Sequence, residues 1–177
     1  MSRKIVYGAA VSLDGYIAGP HDEVDWLQWT DDVAELSQAT FARADTVLMG
    51  RRTYEVGVRA GMRSFPGMRN VVFSSTLDPA DYPEVEIIAD DAVTFVRALR
   101  ADAGGDIIVM GGGELARPLL VAGLIDEIGV NVQPVVLGAG VPLLPEIGTR
   151  VALELIESRV LSGGCVYSMY RVSSRPS

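Results

Sequence analysis

The chain has 177 residues, 49% of them apolar and 21% charged, which suits one globular domain, 1–177, and not a disordered segment. Its net charge of −8 argues against nucleic acid as a partner, since a backbone binder needs clustered Lys and Arg to displace counterions. A single cysteine, Cys165, excludes an intrachain disulfide, and a single histidine, His21, leaves no Cys/His cluster to hold a metal such as zinc.

In chain order, Met1-Ser2-Arg3-Lys4 leads into an apolar run, Ile5 to Ser12, that reads as a buried strand. The run soon meets Ser12 and Asp14, so neither a signal peptide nor a membrane span is expected, and the default location is the cytoplasm. Asp14-Gly15 and Gly19-Pro20 punctuate a loop. A helix is predicted from Asp31, capped by Thr30 or Asp31, with Val33, Leu36, Ala39 and Phe41 or Ala42 at a period near 3.6. Asp45 to Met49 is a short apolar strand ended by Gly50, and a second helix is expected from Arg52 or Thr53. Strands follow at Asn70 to Ser74 and Val85 to Ala89, then a helix over Ala92 to Arg100, a strand over Asp106 to Met110 and a helix over Glu114 to Ala122. Strands alternating with helices imply a mostly parallel sheet with helices on both faces. The tail differs: Ile125 to Val132, Ala152 to Leu161 and Cys165 to Val172 read as strands with no helix between them. Ser162-Gly163-Gly164 is a turn signal, so the last two strands are expected to form an antiparallel hairpin. The fold class expected is α/β, a central mixed sheet that is mostly parallel and ends in that hairpin.

Four segments carry chemistry. In Val109-Met110-Gly111-Gly112-Gly113-Glu114-Leu115 a buried strand runs through three glycines into a helix. Glycine lets backbone approach a ligand, and a helix N-terminus offers unpaired N–H groups to an anion such as a diphosphate. The same glycines would equally serve a tight turn with no ligand. In Val47-Leu48-Met49-Gly50-Arg51-Arg52-Thr53-Tyr54-Glu55 a second strand ends at glycine, and two arginines open the helix. The helix dipole disfavours cations at that end, so the pair points to an external anion, or else to a solvated basic pair. Val72-Phe73-Ser74-Ser75-Thr76 puts small hydroxyls at a strand's carboxyl end, where open α/β sheets bind ligands and where ordinary turns also occur. Ala9 to Gly19 runs from a buried strand into a glycine-punctuated loop of small residues, suited to closing over a ring or to a plain surface connection.

Met49 to Glu55 is similar to the phosphate-binding turn of the dihydrofolate reductases, and Met110 to Leu115 to their triple-glycine turn. Ser12 to Gly19 resembles a sister branch, the C-terminal reductase domain of the bifunctional riboflavin deaminase-reductase. So do Asp126-Glu127-Ile128 and Pro134 to Gly140. The resemblance covers nearly the whole chain. It implies a dihydrofolate reductase-like fold, NADPH as hydride donor, a small heterocyclic acceptor and a homodimer. It implies that Arg51, Arg52 and Thr53, after Gly50, meet the diphosphate and the 2′-phosphate end, with Ser74 and Ser75 beside the adenosine. It implies that Gly111, Gly112, Gly113, Glu114, Leu115 and Ala116 wrap the diphosphate, with a cis peptide at Gly112-Gly113 or its neighbour. Ala10 and Ile17 would flank the nicotinamide. Met110 stands where the riboflavin enzymes carry a glutamate, and Tyr16 where they commonly carry a basic residue. Classical dihydrofolate reductases carry an acid on the first helix, a region occupied here by Asp31 and Asp32, though a capping Asp also belongs there. Asp14, Asp31 and water are therefore the candidate proton sources.

Two other activities fit the same motifs: the 5-amino-6-(5-phosphoribosylamino)uracil reductase of riboflavin biosynthesis, and a non-catalytic NADPH-binding protein. His21 reads as a solvated loop residue and Cys165 as a buried small apolar one. Asp25-Trp26 and Trp29 would line the loop's substrate side or, for Trp29 above all, pack in a first turn.

Overall fold

The computed structural model describes residues 3–173. The elements are β1 (Ile5–Ser12), β2 (Tyr16–Ala18), α1 (Asp31–Phe41), β3 (Ala44–Gly50), α2 (Arg51–Arg59), β4 (Arg69–Phe73) and β5 (Glu86–Ile88). There follow α3 (Ala92–Ala101), β6 (Asp106–Met110), α4 (Gly113–Val121), β7 (Glu127–Gln133), β8 (Val141–Pro142), β9 (Leu153–Val160) and β10 (Val166–Val172). The main sheet runs β5-β4-β3-β6-β1-β7-β10-β9. From β5 to β7 every neighbouring pair is parallel. β10 then pairs antiparallel with both β7 and β9, which is the expected terminal hairpin.

The parallel strands are apolar on both sides because both faces are covered. Ile5, Tyr7, Leu48, Val71, Ile107 and Val109 point to one face, where Val96 and Leu99 of α3 and Leu119 and Leu120 of α4 meet them. Their alternating neighbours face the other way. Val47, Met49, Val72 and Ile108 pack on Tyr54 of α2, and Val6 on Val33 of α1. Burying each such side chain fully contributes about 1.5–3 kcal/mol. No helix among the described residues is long and apolar enough to cross a membrane.

Several local expectations are corrected. Helix α2 starts at Arg51, before either predicted start, because Gly50 itself takes the extended N-cap conformation (φ −80°, ψ 161°). All peptide bonds of the described residues are trans, so the cis bond expected near Gly112-Gly113 is not there. The turn is made by left-handed Gly111 (φ 60°) and Gly112 (φ 38°). β2 and β8, which had no sequence signal, form a separate antiparallel pair. Trp29 is not packed into a first turn; it is 71% exposed.

Thr30 is the N-cap of α1, yet its hydroxyl donates to Asp32 and caps nothing. The other oxygen of Asp32 accepts from Ser162 N at 2.6 Å and so ties α1 to the β9–β10 turn. Donation by the Thr30 hydroxyl and then by Ser162 N pulls the Asp32 carboxyl from 3.8 down to about 2. A carboxyl depressed by folding adds stability that is present above its unfolded value and is lost as pH falls through the folded one. Asp32→Asn is expected to lower stability at pH 7 and to flatten the fall of Tm between about pH 4 and pH 2. Thermal melts across that range would show it, and an unchanged slope would remove Asp32 from the acid response.

Candidate active site

β3 and β6 lie side by side, with Met49 beside Met110. The chain leaves β3 through α2 on one face of the sheet and β6 through α4 on the other. Adjacent parallel strands that send their helices to opposite faces open a crevice at their carboxyl ends, where such sheets take ligands. A cleft of about 500 Å³ lies there, within the roughly 300–1,000 Å³ of small-molecule sites. β1 forms a further wall, since Gly8 pairs with Met110, and Ala9 and Ala10 continue along the cleft opposite Ile17 of β2.

Both glycine turns reach this cleft, from Gly50 to Thr53 and from Gly111 to Leu115. They also touch each other: a Cβ added to Gly111 would stand 2.8 Å from both Oγ1 and Cγ2 of Thr53. Gly50 is the N-cap of α2 and Gly112 that of α4, and neither helix has a side-chain cap. The first amides of a helix have no partner within it, so two sets of N–H donors open on one cavity. The first turn of α2 carries no acid. Arg51 pairs with Glu55 at 3.2 Å and Arg52 with Asp22 at 2.5 Å. The donor set suits a ligand with two linked anionic groups. Most of the remaining wall is apolar, including Val24, Leu27, Val56 and Pro145, with Asp22 as its charged member.

Not every candidate residue comes to the cleft. Phe73 lines it, but Ser74 and Ser75 stand just beyond, and Ser74 Oγ accepts from the amides of Thr76 and Leu77 at 3.1 Å in a local turn. Ala116 is fully buried in the α4 core. Asp31 opens α1 on an exposed position away from the cleft. Asp14 is also away from it. Its carboxylate accepts from Ser12 Oγ (2.7 Å), Leu137 N (3.1 Å) and Gly138 N (2.7 Å), stapling the β1–β2 turn to the segment before β8. Desolvation acts to raise its pKa, but these donors outweigh it and hold the carboxyl below its ordinary value. Asp14 therefore has a structural task and is a poor proton donor. Asp22, Val141 and Pro142 line the cleft without having been singled out; they arrive through loop geometry and the β2–β8 pairing, which leave no periodic trace. Among the described residues no group of His, Cys, Asp and Glu is placed to hold a metal.

Comparison with known proteins agrees with this geometry. Residues 3–167 match the RibD C-terminal domain family. The uncharacterized protein YyaP of Bacillus subtilis (strain 168) is 31% identical over 180 residues, 95% of this chain and 94% of that protein. A candidate riboflavin biosynthesis protein from Shewanella sp. PV-4 superposes with a TM-score of 0.83 at 27% identity, covering 98% of this chain and 100% of that one. Dihydrofolate reductase from Enterococcus faecalis, complexed with NADP(H), shares the fold at a TM-score of 0.71 and 19% identity, again covering 98% and 100%. The family match runs through both glycine turns and across the sheet from β1 into β10, and so the chain belongs to the RibD C-terminal domain family, a reductase family on the dihydrofolate reductase scaffold.

Proposed function

We propose that the protein is an NADPH-dependent reductase that delivers a hydride to a small heterocyclic acceptor. One observation carries the reading: two glycine-capped helix N-termini, α2 and α4, open on the same cleft, and one of them bears Arg51 and Arg52. Left-handed Gly111 and Gly112 keep side chains out of that cradle, which suits a diphosphate. When bound, NADPH supplies the hydride. The chain's own residues do the rest. The amides at Gly112 to Glu114 and at Arg51 to Thr53 hold the phosphates, and the guanidinium groups hold the 2′-phosphate end. Ala10 and Ile17 flank the nicotinamide, while Val24 and Leu27 keep water from the ring. With Asp14 and Asp31 off the cleft, water is the proposed proton source.

The test is a thermal melt with NADPH and with NADH. Saturation at 100 times Kd stabilises by about 2.7 kcal/mol, roughly 5–10 °C for a chain of this length. NADPH is expected to give the larger shift, and Arg51→Ala with Arg52→Ala to erase the difference. Equal shifts would remove the 2′-phosphate assignment, and no shift with either would overturn the reading. The family match also favours a second reading, reduction of 5-amino-6-(5-phosphoribosylamino)uracil. Turnover of that compound separates the two. Binding of NADPH without oxidation by any pterin, flavin precursor or carbonyl compound would leave a non-catalytic binder.

Assembly as a homodimer is part of the proposal. Leu153, Leu155 and Val160 of β9 lie opposite Val172, Tyr170 and Val166 of β10, so they share one sheet face. Val160 is 82% exposed and Leu155 55%. An apolar stripe on an edge strand is the kind of surface a second copy covers.

A further inference from the structure

Asp22 sits in the loop between β2 and α1 and lines the cleft together with Arg51 and Arg52. Its carboxylate accepts from Arg52 Nη2 at 2.5 Å and stands 3.9 Å from Arg59 Nη2, so it faces two arginines of α2. Among the described residues it is the one non-glycine with a positive φ, 64°. L-residues avoid that region, and Asp and Asn enter it most readily. The turn that imposes it is tightly closed: Asp22 N donates to Gly19 O (3.2 Å), Gly19 N to Glu23 O (2.9 Å), and His21 N to Glu23 Oε2 (2.8 Å). The loop thus bends against backbone preference and presents one carboxylate to the arginine end of the cleft. Arg51 has its counter-charge inside α2, on Glu55. Arg52 has its own from another segment of the chain.

We infer that Asp22 competes with phosphate for Arg52, so that this carboxylate sets how tightly the cleft holds phosphate-bearing ligands and helps to release them. A carboxylate and a phosphate take the same guanidinium fork, and at a few ångströms they repel each other. Binding must displace Asp22 from Arg52, and return of Asp22 favours departure. The identity of the ligand rests on the nicotinamide reading above; the competition holds for any phosphate seated on Arg52.

The experiment titrates wild type, Asp22→Asn, Arg52→Ala and the double variant with NADPH and, separately, with inorganic pyrophosphate, by calorimetry at low salt. Asparagine keeps the left-handed turn and removes the charge; Asp22→Gly serves as a second variant with the same backbone freedom. Asp22→Asn is expected to bind both probes about tenfold more tightly, the effect of roughly 1.4 kcal/mol of lost repulsion. It should gain nothing when Arg52 is already alanine. Unchanged or weaker binding in both Asp22 variants overturns the competition, and NADPH binding to wild type would then leave the nicotinamide reading in place. Tighter pyrophosphate binding with no NADPH binding to any variant keeps the competition and overturns the nicotinamide reading.

Discussion

A methyl group placed on Gly111 is expected to cost both stability and cofactor binding. The backbone there is left-handed at φ 60°, which penalises a side chain by about 1–2 kcal/mol. The new carbon would also lie 2.8 Å from the Thr53 hydroxyl and methyl, an overpacking worth about 1–3 kcal/mol. Together these give about 2–5 kcal/mol, or a fall in Tm of roughly 4–20 °C at this chain length. Separating the two turns also spoils the alignment of their amides, so the NADPH-induced shift should vanish in Gly111→Ala at concentrations that saturate wild type. Thr53→Ala in the same chain removes the colliding atoms and is expected to restore part of the Tm without restoring the shift. A Gly111→Ala protein with wild-type Tm and an intact shift would show that the contact between the turns is dispensable.

The second large effect concerns assembly. The protein is expected to run at twice the mass of its chain in light scattering, and Leu155→Lys with Val160→Lys to return it to the mass of one. Lysine on an exposed edge strand blocks pairing with another copy. Both positions are mostly solvent-facing within the chain, so the substitutions should leave the fold of each copy intact, with an unchanged far-UV circular dichroism spectrum. A single-chain mass for the unsubstituted protein at micromolar concentration would end the dimer proposal. Loss of secondary structure in the double variant would move these residues from assembly to folding.

The sheet was legible because its strands are buried on both faces and therefore read as uninterrupted apolar runs, as in Ile107 to Met110. The two glycine turns were legible for a related reason: each follows such a run and precedes a helical period. The contact between them was not, because Gly111 meets Thr53 only once β3 and β6 are neighbours, and sequence distance hides that. β2 and β8 escaped notice because three residues and two residues are too short to show alternation. Asp14 lies in a polar turn, a place from which a catalyst and a staple look alike; its three donors decide for the staple. Trp29 went the other way, since a large apolar side chain suggests packing and only the loop's path leaves it in solvent.

β1, the first strand described, takes its parallel neighbours from strands that begin at Asp106 and Glu127, and the sheet beyond β7 continues into β10, which begins at Val166, and ends at β9. Ile5 cannot find Ile107 until the whole segment between them has been made. Chains dominated by such distant partners fold slowly, because loop closure is paid before the contacts return it. During synthesis the apolar ribbon from Ile5 to Ser12 therefore stays without its parallel partners until β6 and β7 have been made. Growth at high temperature or fast expression should penalise this protein as aggregation of nascent chains well before it penalises the finished fold.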